Sequence, residues 1–334
     1  MSFSAQSTSE EVCHVLAEYI RGSRVLITGV TLGSIGGEAA LQISRYAPAL
    51  LVLAGRDLQT LQATEIAIKK ETPDANTRLL ILDLSSQQSV RKAAAEVNNY
   101  PERIDRLINN AGVMAAPYTT TPDGVEFQFG INHIGHFLFT NLILGRMVSG
   151  ESTVRVVNVS SAGHKRGPVR FEDLNFQNGK CYDKWQAYGQ SKTANMLFSV
   201  SLAEKAGGKG VQSFSLYPGR RETGIGRHLK PEEWVNAGWK HEDGRINDDP
   251  KLNWRTASQG TATLIVAAYD PSISGKHHAP GKSAVDVNYA DKNGSYMVNN
   301  QVNNGEAVDY ALNPENAEML WKLSEEIVGQ KFEY

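Results

Sequence analysis

Six apolar runs recur through the first two thirds of the chain: RVLITG (24–29), ALLVLAG (49–55), RLLILDL (78–84), IDRLIN (104–109), VRVVNVS (154–160) and VQSFSLYPG (211–219). Each is nearly continuous rather than alternating, the pattern of strands buried on both faces of a parallel sheet. Between them lie stretches with helical spacing: GEAALQISRYA, LQTLQATEIAIKKE and SSQQSVRKAAAEVNN, with HFLFTNLILGRMV from His136 reading as a buried helix. Asp57 is placed to cap the second of these, and Asp83-Leu84-Ser85-Ser86 offers capping chemistry for the third. Strand alternating with helix predicts βαβ units, and so an α/β fold with one doubly wound parallel sheet and helices on both faces.

From about Gly224 the rhythm breaks. Residues 225–254 are polar and loop-rich and contain Trp234, Trp239 and Trp254. Helices are expected again over ASQGTATLIVAAY and NPENAEMLWKLSEEIVGQ. No linker divides the chain, so 1–334 is expected to be one domain, with a core over about 22–224 and a lid and C-terminal elaboration over about 224–334.

Composition narrows the function. The 334 residues are 41% hydrophobic and 21% charged, enough for a sizeable core. A formal net charge of -2 with no dense Lys/Arg run argues against a nucleic-acid partner. The two cysteines, Cys13 and Cys181, give neither a disulfide framework nor metal spacing, and suit a reducing, cytoplasmic setting. The N-terminus lacks the basic start and apolar run of a signal peptide, and the apolar run from His136 is too short to span a bilayer.

The chemistry-bearing motifs fall at the carboxyl ends of the predicted strands. The first strand ends in TGVTLGSIGGEAA, a glycine-rich turn into a helix where a pyrophosphate could approach the backbone and meet the helix N-terminus. Without a ligand it would be a flexible turn. The second strand ends in Ala54-Gly55-Arg56, an arginine where an acid would otherwise meet ribose hydroxyls. A guanidinium there can hold a 2′-phosphate, which favours NADP(H) over NAD(H). NNAG, from Asn109 to Gly112, pairs small residues that suit a flat ring with asparagines able to tie strands together. VRVVNVSS delivers Ser160 and Ser161 to the same sheet edge, and YGQSK follows on a predicted helix, with Tyr188 and Lys192 on one face.

In this order, TG…G…G, NNAG, Asn132 in GINHIGHF, SS, YxxxK and PGxxxT resemble the short-chain dehydrogenase/reductase family over about residues 22–224. NNAGVM, NHIGHFLFTNLIL and the long Ser-to-Tyr interval with FEDLNF are similar to its retinol-dehydrogenase-like and WW-domain-oxidoreductase-like branch, in the fungal form. The resemblance implies a Rossmann-type fold with a C-terminal substrate lid, and a catalytic tetrad of Asn132, Ser161, Tyr188 and Lys192. It implies cofactor contacts from Gly29, Thr31, Gly33, Ser34, Ile35, Gly36, Arg56, Asp83, Leu84, Asn110, Ala111, Gly112, Tyr188, Lys192, Pro218, Gly219 and Thr223. Tyr188 would then protonate a carbonyl oxygen as hydride reaches its carbon, with Ser161 bonded to the same oxygen. The Lys192 ammonium is expected to lower the phenol from its usual value of about 10. Lys192 would also hold the nicotinamide ribose, and Asn132 would hold a water that links the lysine to solvent. The expected activity is NADP(H)-dependent hydride transfer to or from a small carbonyl or alcohol, as a monomer or homodimer. The alternative is a family member whose cofactor serves a non-redox cyclisation or a regulatory role.

The chain departs from the family pattern in places. TGVTLGSIG is one residue longer than TGxxxGxG and carries Ser34 where a glycine might sit. Arg220 and Arg221 follow YPG, where they could contact pyrophosphate or an anionic substrate, or be solvated. No metal is expected: His133 and His136 read as helix residues, and GKHHAPG at 275–281 as a loop. The three tryptophans after Gly224 could form an aromatic lid or simply pack.

Overall fold

The first five apolar runs carry their strand residues to both sides of one sheet. In the computed structural model, which describes residues 3–149, 153–273 and 292–334, these strands are β1 (Arg24–Thr28), β2 (Leu50–Gly55), β3 (Thr77–Ile81), β4 (Arg106–Asn109) and β5 (Val154–Val159), followed by β6 (Val211–Tyr217), β7 (Tyr296–Val298) and β8 (Gln301–Val302). Their order is β3-β2-β1-β4-β5-β6-β7-β8. All pairs are parallel except β7 with β8. The register sets Val25 opposite Leu51 on one side and Arg106 on the other.

The helices are α1 (Ser9–Val15), α2 (Ala17–Ile20), α3 (Ile35–Ser44), α4 (Leu58–Glu71), α5 (Gln87–Asn98), α6 (Phe127–Phe129), α7 (Gly135–Met147), α8 (Lys184–Ala206), α9 (Pro231–Asn236), α10 (Ala257–Tyr269) and α11 (Pro314–Val328). Alternate residues of a strand feed opposite faces. Leu50, Val52 and Ala54 of β2 join the core under α5, α7, α8 and α11, while Leu51 and Leu53 join the core under α1, α3, α4 and α10. This explains why the runs lack alternation. The bidentate Arg24–Asp105 pair, 2.9 Å at both contacts, ties the entry of β1 to that of β4.

Several boundaries differ from the sequence expectation. The third run stops pairing at Ile81, because Leu82–Ser86 turn into the Ser86 cap of α5. Ile104 and Asp105 precede β4, and Pro218 and Gly219 lie beyond β6, with Gly219 at φ 89°. Asp57 caps α4 through Thr60 N, 2.7 Å, as expected. The 225–254 stretch is more ordered than a loop: it holds α9, a 3₁₀ turn at Pro250–Leu252 and the isolated bridges Lys240–Ile246 and Arg220–Trp254. The expected loop at 275–281 lies outside the described residues. No helix among the described residues is long and apolar enough to cross a membrane.

Candidate active site

The strand order reverses direction between β1 and β4, and the crevice of a doubly wound sheet lies at the carboxyl ends there. A cleft of about 1160 Å³ opens at that edge. Gly29 leaves β1 at φ 74°, and a Cβ on it would come within 2.8 Å of Ala111 Cα, so only glycine lets the two chains approach so closely. Gly33, at φ 77°, has open space where a side chain would be. The extra loop residue has a local purpose. Ser34 caps α3, accepting from Gly37 N (3.0 Å) and donating to Thr31 O (2.6 Å). Arg221 reaches back to this loop, donating from Nη2 to Gly33 O at 2.9 Å, while its Nη1 is buried with no partner.

Strand ties carry the opposite wall. Asn109 Nδ2 donates to Asn158 Oδ1 (2.9 Å) and Thr140 Oγ1 (3.0 Å), and Asn110 Nδ2 to Thr28 O (2.8 Å). Gly29, Thr31, Gly33, Ser34, Ile35, Arg56, Asp83, Leu84, Asn110, Ala111, Gly112, Pro218, Gly219 and Thr223 all line the cleft. Gly36 lies beneath the wall instead. A Cβ there would meet Gly29 O at 2.6 Å, so its smallness serves the packing of α3 on the turn. A glycine cradle, a helix N-terminus, an arginine at the end of β2 and the unpartnered Nη1 of Arg221 together fit a phosphate-bearing dinucleotide.

Ser161, Tyr188 and Lys192 converge on the same cleft. Ser161 Oγ accepts from Gly163 N at 3.0 Å and lies within hydrogen-bonding reach of the Tyr188 phenol. Its neighbour Ser160 is turned inward and donates to Lys192 O at 2.8 Å, tying β5 to α8. Lys192 Nζ donates to Val159 O at 2.9 Å and sits 5.8 Å from the Tyr188 ring centroid. Asn132 is fully buried behind this group, in a π-helical turn at Gly130–Ile134. Its side chain grips Val113 on both backbone groups and donates to Ser191 Oγ at 2.9 Å. Gly112 separates it from the lysine: a Cβ there would be 3.1 Å from Asn132 Oδ1 and 3.5 Å from Lys192 Nζ.

The electrostatics depart from the expectation. Burial pushes the Tyr188 phenol up to about 12, with the Ser161 hydroxyl pulling the other way, and pushes the Lys192 amine down to about 7. Desolvation outweighs the attraction that a charged lysine would offer the phenolate. His136 is held neutral, burial taking it to about 4. Thr28 Oγ1 accepts from Asn110 N and Ala111 N, so its proton goes to His136 Nε2 at 3.0 Å, which leaves Nδ1–H to donate to Asn132 O at 3.1 Å. His133 pairs with Ser324 Oγ at 2.8 Å inside the core.

Gly163, Arg166 and Trp185 line the cleft from the long Ser161-to-Tyr188 interval, which is expected from the sequence to edge the substrate mouth, and Tyr217 and Arg227 line it as well. Trp185 had a signal, since it precedes Tyr188 by three residues on α8 and therefore shares its face. Arg227 comes from the start of the 224–254 segment expected as a lid, though nothing in the sequence singles it out within that segment. Among the described residues no cluster of three or more histidines, cysteines or acids could hold a metal.

Comparison with known proteins agrees with this fold. The family model for short chain dehydrogenase matches residues 23–172. Human retinol dehydrogenase 13 is 43% identical over 270 residues, covering 77% of this chain and 76% of that protein. The short-chain dehydrogenase/reductase prx1 of Penicillium rubens is 31% identical over 301 residues, covering 89% and 79%. Among solved structures, an uncharacterised protein from Mycobacterium paratuberculosis superposes with a TM-score of 0.68 at 26% identity, with both chains covered completely. The chain belongs to the short-chain dehydrogenase/reductase family, in its retinol-dehydrogenase-like branch. It is therefore an oxidoreductase of alcohols or carbonyls, from a family that binds a nicotinamide cofactor.

Proposed function

We propose that this protein is an NADP(H)-dependent reductase of a carbonyl group on a small molecule, working in the cytoplasm. The observation that carries the reading is the buried Tyr188 phenol, in reach of Ser161 and one helical turn from the buried Lys192, on the wall of a cleft whose other end is the glycine turn. When bound, NADPH supplies the hydride. Tyr188 keeps its proton at neutral pH, which is the state a general acid needs to protonate the developing alkoxide. Ser161 would orient the carbonyl oxygen, and Lys192 would hold the ribose hydroxyls and balance the phenolate. Asn132 braces the wall behind them through Val113 and Ser191.

The preference for the phosphorylated cofactor rests on Arg56. It lines the cleft at the end of β2, and the adjacent acid, Asp57, is committed to capping α4. Arg221 and the glycine turn would meet the pyrophosphate. Leu84 and Asp83 would meet the adenine side, while Pro218, Gly219 and Thr223 would meet the nicotinamide side. The unpaired thiols Cys13 and Cys181 suit a reducing compartment.

The test is consumption of NADPH and NADH by the purified protein with a panel of aldehydes and ketones, compared with Tyr188→Phe. Turnover should fall ~10²–10⁴-fold in the variant with NADPH binding nearly intact. Wild-type turnover in the Phe variant, or no consumption with any carbonyl, would overturn the reading.

A further inference from the structure

Arg220 and Arg221 are consecutive, and the extended backbone after β6 sends them to different places. Arg221 turns to the glycine turn. Arg220 lies in a parallel bridge with Trp254, and its carbonyl accepts from Arg255 N at 2.8 Å. Its guanidinium carbon sits 5.2 Å from the Trp239 ring centroid and 5.8 Å from that of Trp254. Stacking of this kind satisfies the faces of the guanidinium and leaves its N–H edge for hydrogen bonds. That edge is only partly satisfied: the guanidinium donates to the Tyr217 hydroxyl, but Nη1 is buried with no partner. Two acids of this segment are used elsewhere, Glu222 by Lys240 and Glu233 by Lys184. Among the described residues no ion pair is made by Arg220.

The rest of the mouth is aromatic. Trp185 and Trp234 each stand 5.7 Å from Trp239, at 90° and 71°, and Arg166 lies 4.7 Å over Trp185. All four indoles line the cleft. Arg220 also reaches toward the reacting group. The Tyr217 hydroxyl lies beside its guanidinium, and Tyr217 is within electrostatic range of the Tyr188 phenol. A ligand held on Arg220 would therefore span from the indole walls to the phenol.

We propose that Arg220, held between Trp239 and Trp254, anchors the carboxylate of an aromatic, planar carbonyl substrate. The inference rests on the reading of the cleft as a reductase site and names its substrate class. A carboxylate is planar and can lie in the plane of the guanidinium, accepting two parallel N–H bonds within the indole slot. A tetrahedral phosphate cannot lie flat there and has its own place at the glycine turn. Flat apolar walls add area and select a ring system over a flexible chain.

The probe is 9-oxofluorene-4-carboxylate with its methyl ester as the matched uncharged ligand, each titrated by calorimetry and by quenching of tryptophan emission, with and without NADP⁺. The acid should bind the wild-type protein about 10-fold or more tightly than the ester, the worth of a charge-assisted hydrogen bond. Arg220→Gln should abolish that preference while leaving NADP⁺ binding unchanged, and Arg220→Lys should restore part of it. Equal affinity of acid and ester for the wild-type protein, a preference that survives in Arg220→Gln, or no binding of the acid would each overturn the inference. Absence of NADP⁺ and NAD⁺ binding would instead overturn the reductase reading, because the acid-over-ester comparison without cofactor still decides the role of Arg220.

Discussion

Gly163 offers a direct way to move the Tyr188 ring without touching its chemistry. It lies in the 3₁₀ turn Ala162–Arg166 that packs on α8, and a Cβ added to it would fall 2.6 Å from Tyr188 Cε1, 2.8 Å from Cδ1 and 3.3 Å from Ser161 Oγ. Carbon atoms in contact prefer about 3.5–4.0 Å, so in Gly163→Ala the ring and the turn must separate by about 1 Å. Backbone strain is not the issue, because Gly163 does not have positive φ. A misplacement of ~1 Å at a reacting group costs ~10²-fold, or about 2.7 kcal/mol of barrier. Gly163→Ala should therefore lower kcat ~10²-fold in the carbonyl assay, with the NADPH Kd within a few-fold of wild type and the same thermal transition. Gly167→Ala is the matched control. A Cβ there meets nothing within 4 Å, and its φ of 165° is extended. The reasoning fails if Gly163→Ala turns over within about threefold of wild type, or if Gly167→Ala is equally impaired.

The other expectations address cofactor, pH and motion. Arg56→Ala should weaken NADPH relative to NADH by ~10–150-fold, since only the former carries the phosphate, and equal losses by fluorescence titration would remove Arg56 from that role. Acid should destabilise the fold. Burial holds His133 near about 3 and His136 near about 4, so below about 6.5 the unfolded chain takes up two protons that the folded one does not. Glu126, raised by burial to about 7, opposes them by holding one proton only in the folded state down to about 4.5. The net of one proton from these three groups predicts a loss of at least ~1.4 kcal/mol per pH unit between about 6.5 and 4.5, since His164 and His228 are also lowered by burial and act in the same direction; Glu126→Gln should add ~1.4 to that slope, and urea melts showing flat stability in that window would refute it. Finally, 224–254 should behave as a lid that exchanges amide protons fast in the empty protein and gains protection with NADPH and a substrate analogue, whereas high, unchanged protection would mark fixed architecture.

The sheet was legible because its strands are buried on both faces, which forces unbroken apolar runs. The NNAG asparagines were legible for a similar reason, since polar side chains inside a parallel sheet must tie strands, and Asn109 and Asn110 do. The edge of the sheet was not. β7 and β8 have three and two residues, too short for any periodicity, and their place is set by Asn293 and Asn304 meeting Ser213 and Tyr296. The helix α1 has a signal that can be read in the sequence: Thr8 and Glu11 form a capping box. The tetrad positions came with the family resemblance, but not their protonation. The burial that raises Tyr188 and lowers Lys192 is set by how α8 sits on the strands, which is a tertiary quantity.

That burial bears on direction. Both groups are held toward their neutral forms, so at neutral pH the phenol keeps its proton while the amine lies near its own midpoint. On the proposed reading, giving up the phenol proton creates a phenolate in a place that disfavours charge. The basic group best placed to relieve it is Lys192, 5.8 Å from the ring centroid and buried against the same wall. Opposite charges stabilise each other in a low dielectric, so the phenolate would raise the lysine and the ammonium would lower the phenol, each reversing the effect of burial. The pair then moves between a neutral resting state and an ionic one reached during turnover. His136 takes no proton in this exchange, because burial keeps it neutral and Thr28 and Asn132 O fix its tautomer. The proton that restores Tyr188 must therefore arrive by way of Lys192 or across the open cleft.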